Sequence, residues 1–326
     1  MSAGNADKLV TVIGGSGFIG RHVVRSLAKR GYRVRVACRR PDLAGHVQPL
    51  GTPGQIMPVQ ANLRFHTSVA AACDGAFAVI NLPGVLFDKG GQGFDAIHSF
   101  GAGVAAKAAR DAGATVFIQM SSIGADANSG SAYARSKAEG EKNAKVAFPN
   151  AIVVRPSIVF GPEDGFFNKF AAMARFSPFL PSIGGGDNKF QPVFVGDVAE
   201  ALAVLVDRGR CDGKVYELGG PSVARFAELL KFVCDVTMRK RLLLPIPYGA
   251  AKLLGAFTGW LPTPPITADQ VELLKSDNVV SAEAKAAGRD LVGLGISPRS
   301  YQSIVPTYLY RFRREGQFTT PSGKPE

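Results

Sequence analysis

Leu9–Ile13 (LVTVI) is a short β-branched run that ends in glycines, which is the pattern of a buried strand. After the glycines, Ile19, Val23, Val24, Leu27 and Ala28 recur on one helical face, and Gly31 closes that helix. Residues 32–38 (YRVRVAC) alternate as a second strand does. Residues 55–60 and 76–82 read as strands with a short helix between them. A helix over 94–112, a strand over 115–120, a helix over 131–147 and a strand over 151–155 follow. Repeated strand–helix alternation predicts an α/β fold, a Rossmann-type doubly wound parallel sheet with helices on both faces.

The pattern changes after about residue 160. Residues 166–186 (FFNKFAAMARFSPFLPSIGGG) concentrate phenylalanine, proline and glycine. A helix beginning near Asp197 and a strand over 215–218 are expected to return to the main sheet. Residues 225–236 form a further amphipathic helix. The spacing therefore predicts a nucleotide-binding domain over 1–162, with contributions from about 190–220. A smaller, mixed C-terminal domain for substrate or partner takes 163–326. Phe166, Phe167, Phe170, Phe176 and Phe179 are candidates for a pocket, a docking face or ordinary core. The apolar stretch from Leu242 to Ile266 contains Trp260 and is broken by five prolines. It fits a membrane interface, a protein interface or the core of the small domain.

Composition narrows this picture. The chain has 326 residues, 46% of them hydrophobic and 20% charged, which suits a large core and excludes bulk disorder. Lys and Arg number 38 against 26 Asp and Glu, a net charge of +12 that suits anionic partners. No recognised nucleic-acid motif accompanies that charge, so a nucleic-acid partner is not expected. Cys38, Cys73, Cys211 and Cys234 form no C-x-x-C pair, and the four histidines form no H-x-x-x-H pair, so no metal site is expected. No signal peptide is read at the start, and no apolar run reaches the ~20 residues of a membrane span.

Gly14, Gly15, Ser16, Gly17, Phe18, Ile19 and Gly20 read GGSGFIG between a strand and a helix. Glycine permits the tight turn and the approach of backbone to pyrophosphate, and the helix N-terminus meets the negative charge. An NAD site places a carboxylate at the end of the second strand, for the ribose 2′-hydroxyl. Arg39 and Arg40 stand there instead. A guanidinium binds a 2′-phosphate through paired hydrogen bonds, so NADP(H) is the expected cofactor.

Tyr133 and Lys137 form Y-x-x-x-K, an i, i+4 pair on one helix face. A lysine near a phenol favours the phenolate, and the pair can move a proton while a hydride moves at a nicotinamide. Ser121 and Ser122 end the fifth predicted strand, where strand carboxyl ends face the ligand crevice and a hydroxyl can bond the reacting oxygen.

In these residues the chain resembles the extended or atypical short-chain dehydrogenase/reductases. VIGGSGFIG, Asn81-Leu82-Pro83-Gly84, Ser121-Ser122, Tyr133-x-x-x-Lys137, RPSIVFGP from Arg155 and PVFVGDV from Pro192 carry the likeness, in order, over more than half the chain. The resemblance implies a catalytic triad of Ser122, Tyr133 and Lys137. It places Asn81 to Gly84, Pro156, Ser157 and Ile158 beside the cofactor. Asn62-Leu63 stands near the adenine, where many members have Asp-Leu.

A narrower likeness covers nearly the whole chain. RPSIVFGPEDGFFNKFA, KFQPVFVGDVAEA, ITADQVELLKSDNVVS and PTYLYRFRREGQF resemble the NADPH-binding accessory subunits of respiratory complex I in their alphaproteobacterial form. That resemblance implies tightly held NADPH with a structural or regulatory role and no independent turnover. It also implies other complex I subunits as partners, and a peripheral place on the cytoplasmic face of the inner (plasma) membrane, at the junction with the membrane arm. The basic surface and the stretch from Leu242 to Ile266 are then candidates for contact with anionic lipid. The alternative reading is a free NADP(H)-dependent reductase, dehydrogenase or sugar-nucleotide epimerase using Ser122, Tyr133 and Lys137.

Overall fold

The computed structural model describes residues 4–85, 93–258 and 266–318. The chain opens with β1 (Leu9–Ile13), α1 (Phe18–Lys29), β2 (Arg33–Cys38), β3 (Ile56–Gln60), α2 (His66–Cys73) and β4 (Ala78–Asn81). A π-helical segment, Asp95–Phe100, leads directly into α3 (Gly101–Asp111). Next come β5 (Val116–Met120), α4 (Ala132–Ala147), β6 (Ile152–Pro156), β7 (Val159–Phe160), α5 (Phe167–Phe176), β8 (Phe179–Ile183), β9 (Lys189–Phe190) and β10 (Val193–Phe194). Then follow α6 (Val195–Asp207), β11 (Val215–Leu218), β12 (Ala224–Arg225), α7 (Phe226–Thr237), β13 (Leu242–Ile246), α8 (Tyr248–Thr258) and α9 (Ala268–Leu273).

The chain divides into two compact units. The first holds Met1–Pro156, Val195–Leu218 and Val280–Ser297; the second holds Ser157–Phe194, Gly219–Val279 and Pro298–Glu326. The division falls at Pro156 where the sequence suggests 162. Residues 280–297, expected in the C-terminal domain, pack with the first unit: Val280 and Ala284 bury against Ile123.

Among the described residues, the first unit carries a seven-stranded sheet in the order β11-β6-β5-β4-β1-β2-β3, with every pairing parallel. Val10, Val12, Val36, Val79, Ile80, Phe117, Ile118, Ile152 and Val153 are fully buried, as a parallel sheet covered on both faces requires. Strand order reverses between β1 and β4, and in such sheets ligands bind outside the carboxyl ends of the strands at that reversal. The helix expected over 94–112 is real, but its first turn is π-helical.

Among the described residues, three two-stranded ladders lie in the second unit: β7 with β10, β9 with β12, and β8 with β13. Its core is aromatic. Phe160, Phe167, Phe190 and Phe226 are buried, and Phe166 and Phe170 pack on them edge-to-face. Phe166, Phe167 and Phe170 are thus core. Phe176 is 84% exposed and Phe179 45% exposed. Of the stretch from Leu242 to Ile266, residues 259–265 with Trp260 lie outside the described residues.

Candidate dinucleotide site

The turn from β1 into α1 has the shape a pyrophosphate needs. Gly14 takes φ +78°, where a side chain is strained, and its open side faces the Pro83 ring at the end of β4. A Cβ on Gly20 would stand 2.3 Å from the Gly14 carbonyl oxygen, so only glycine lets α1 close on the turn. A Cβ on Gly17 would meet only the Gly14 carbonyl oxygen, at 3.4 Å, which leaves that side open to a ligand. Gly17 is the N-cap of α1 and offers no side-chain cap, so the first-turn N–H groups keep their capacity for an anion. Ser16 turns its carbonyl oxygen toward His46 Nε2, at 3.1 Å.

The two arginines after β2 differ. Arg40 is tied to Asp42 by hydrogen bonds from Nε to Oδ1 at 3.0 Å and to Oδ2 at 3.3 Å, and from Nη2 to Oδ2 at 2.7 Å. Arg39 is exposed and makes no ion pair among the described residues. Arg39 therefore has its guanidinium uncommitted to a carboxylate, whereas Arg40 is held by Asp42.

Asn62 spends its side-chain oxygen locally, accepting from the Arg64 N–H at 3.1 Å, and Leu63 is buried against α3. Leu82 N–H donates to the Ile13 carbonyl, which joins the ends of β4 and β1. Asn81 donates from Nδ2 to Gln119 Oε1 at 2.8 Å, while its buried Oδ1 has no partner. Gly84 lies against Lys137: a Cβ there would sit 3.3 Å from Nζ. Pro156 ends β6 within the first unit. Ser157 and Ile158 open the second, and both bond the Asn278 side-chain oxygen there, from Oγ at 2.7 Å and from N–H at 3.1 Å.

The two serines after β5 separate cleanly. Ser121 Oγ donates to Glu141, whose other contacts are the Arg155 guanidinium, Nε at 2.8 Å and Nη2 at 2.7 Å. Ser121 is therefore structural. Ser122 Oγ is buried with no partner, which keeps it available. Ser131 caps α4 by accepting from the Ala134 N–H, and the helix then presents Tyr133, Lys137, Gly140 and Glu141 along neighbouring faces. Tyr133 is held edge-on by Phe94 and His98, and Lys137 Nζ lies 5.7 Å from its ring centre. Lys137 is 5% exposed. Burial pushes its ammonium down to about 8, against the weaker pull of Glu141.

Three orphaned or buried polar groups thus surround the end of the β1–β4 reversal: Asn81 Oδ1, Ser122 Oγ and Lys137 Nζ. Together with the glycine turn they fit a nicotinamide dinucleotide. Sequence reasoning missed His98, Ser136, Gly140 and Glu141. Glu141 continues the i, i+4 series from Tyr133 and Lys137 and was there to be found. His98 had no local signal, because its hydrogen-bond partners come from the segment after β4 and from α4.

These features define a Rossmann-type dinucleotide-binding protein with a short-chain-dehydrogenase constellation. The chain belongs to the NAD dependent epimerase/dehydratase family, whose sequence model matches residues 10–219. It is 35% identical over 321 residues to the mitochondrial NADH dehydrogenase [ubiquinone] 1 alpha subcomplex subunit 9 of Arabidopsis thaliana, covering 94% of this chain and 79% of that protein. It is 31% identical over 297 residues to a ceramide reductase of Caulobacter vibrioides, covering 88% and 90%. The triphenylmethane reductase structure from Citrobacter sp. shares the fold, with TM-score 0.74 at 19% identity over 92% of this chain and 99% of that one.

Proposed function

We propose that this chain is an accessory subunit of a complex I-type NADH:ubiquinone oxidoreductase that holds NADPH for structure or regulation. The observation that carries the reading is the likeness along 94% of the chain to a mitochondrial NADH dehydrogenase subunit. Unpaired Arg39 supports NADP(H) over NAD(H). The glycine turn and the uncapped N-terminus of α1 support tight binding of the pyrophosphate.

The reading places the subunit peripherally on the cytoplasmic face of the membrane, at the junction with the membrane arm. The described residues contain no helix long and apolar enough to cross a membrane. Support for contact with anionic lipid comes from the second unit. Arg175, Arg241 and Arg314 lie close enough to Arg239 to lower its pKa by repulsion, with burial the larger cause. Exposed Phe176 ends α5 beside Arg175, and exposed Phe179, Leu242 and Leu244 lie on the paired strands β8 and β13, with Arg241 immediately before β13. Cations beside exposed apolar groups suit a bilayer surface.

On a native gel of solubilised membranes the chain should co-migrate with NADH:ubiquinone oxidoreductase; recovery only as a free soluble protein would overturn the reading. Denatured protein should release NADP(H). Arg39→Ser should weaken NADPH binding about tenfold or more while leaving NADH binding unchanged, since a charged hydrogen bond is worth roughly 1.5–3 kcal/mol.

A second reading, a free carbonyl reductase, is favoured by the retained triad and by the likeness to a ceramide reductase. Reduced nicotinamide would supply the hydride to the carbonyl carbon. Tyr133 would give the proton to the carbonyl oxygen, Ser122 Oγ would hydrogen-bond that oxygen, and Lys137 would hold the cofactor ribose and favour the phenolate left behind. Loss of a ketone-reducing activity in Tyr133→Phe would establish this reading; undiminished cellular function in that variant would exclude it.

A further inference from the structure

His98 sits in the π-helical turn before α3 and is 2% exposed. π-Turns place side chains where a regular helix would not. Here the turn sets the ring between two elements of the nucleotide site. Nε2 lies 2.9 Å from the Val85 N–H, at the end of the Asn81–Val85 turn. Nδ1 lies 2.9 Å from Ser136 Oγ on α4. Phe94 stacks on the ring with centres 5.6 Å apart, and Tyr133 meets it edge-on at 5.3 Å. A close approach makes this possible: a Cβ on Gly140 would stand 2.1 Å from the His98 carbonyl oxygen.

The donor pattern fixes the ring's state. An amide N–H can only donate, so Nε2 must be the bare acceptor. Nδ1 then carries the proton and donates to Ser136 Oγ, which donates in turn to the Tyr133 carbonyl at 2.8 Å. An imidazolium would turn a proton against the Val85 N–H. Burial, with the charge of Lys137 as the smaller cause, pushes the ring pKa down to about 2, which agrees with this geometry.

We propose that neutral His98 is a positioning residue of the nucleotide site: by accepting the Val85 N–H it holds Gly84 against Lys137 and keeps the Asn81–Gly84 turn open to the cofactor. The placement is tight, since a Cβ on Gly84 would stand 3.3 Å from Lys137 Nζ and 3.6 Å from His98 Nε2. The proposal rests on the nucleotide-binding reading for its consequence, but not for its geometry.

Two conservative replacements separate the ring's two roles. Glutamine can put an acceptor near the Nε2 position, whereas asparagine reaches only the Nδ1 position. NADPH binding to the full chain, followed by nucleotide fluorescence, should weaken about tenfold in His98→Asn and His98→Ala. It should return most of the way in His98→Gln, a factor corresponding to one buried hydrogen bond left unmade. A role in stability alone would lower the melting temperature of Gln and Asn variants alike and would not divide them by affinity. Equal affinity in the two, or no loss in His98→Ala, overturns the proposal. A nucleotide-free readout keeps it apart from the cofactor reading: the Val85 amide should exchange faster in His98→Asn and stay protected in His98→Gln. Ring ¹⁵N shifts should report the Nδ1–H tautomer across about pH 5–8. An imidazolium or an Nε2–H ring in that range overturns the proposal even if NADPH binds.

Discussion

Ser121 and Ser122 are neighbours with opposite fates. Ser121 is committed to Glu141, which is itself clamped by Arg155, so its hydroxyl belongs to the scaffold. Ser122 Oγ is buried without a partner, a state costing roughly 1–3 kcal/mol. Removing it should relieve that cost, so Ser122→Ala is expected to melt at or above the wild-type temperature in nucleotide-free protein. Ser121→Ala, which strips a donor from a buried carboxylate, should melt lower; thermal denaturation of the two variants checks the contrast. Lys137 gives a pH signature. Its folded value of about 8 lies below the ordinary 10.5, so between those values the unfolded chain binds a proton that the folded chain has lost. Stability from this group therefore rises with pH across that window, by on the order of 3 kcal/mol in total, and the burial penalty is fully present below it. Urea titrations at pH 8 and 10 should show the rise, and Lys137→Met should flatten it.

At the scale of elements, α4 joins the site together. Its N-cap Ser131 starts the helix that brings Tyr133 against Phe94 and His98 and Lys137 against Gly84 after β4. Its Gly140 admits the π-turn, and Asn143 Nδ2 donates to Ser99 Oγ at 3.0 Å one turn later. Gly140 has ordinary helical geometry, so its glycine answers to packing alone. Gly140→Ala should improve helix propensity by about 1 kcal/mol yet lose more than that to overpacking of ~1–3 kcal/mol or above. The expected outcome is a lower melting temperature together with faster exchange at the Val85 amide. An unchanged melting temperature would mean that the π-turn gives way freely.

For the whole molecule, the question is what the nucleotide does to the fold. A ligand that binds only the native state stabilises it by about 2.7 kcal/mol at a hundred times its Kd. Saturating NADPH should raise the melting temperature by several degrees, and NADH by less, because Arg39 has no 2′-phosphate to meet. Most residues of the candidate nucleotide site lie in the first unit, so calorimetry should show the shift in the transition that contains the seven-stranded sheet. An equal shift with both nucleotides would remove the assignment of Arg39.

The strand–helix alternation, the GGSGFIG turn and the Tyr133–Lys137 spacing were all readable in the chain. Each is a local pattern in which backbone conformation and side-chain period carry the signal. The family and the candidate triad came from the resemblance that these and the later motifs carry to the short-chain dehydrogenase/reductases. Tertiary structure alone decided which serine is free, which arginine is spent on Asp42, and that residues 280–297 join the first unit. It alone revealed His98, whose donor and acceptor partners lie 13 and 38 residues away. The reason is physical: propensity and periodicity act over a few neighbours, whereas burial, orphaned polar groups and pKa shifts are made by groups that only folding brings together.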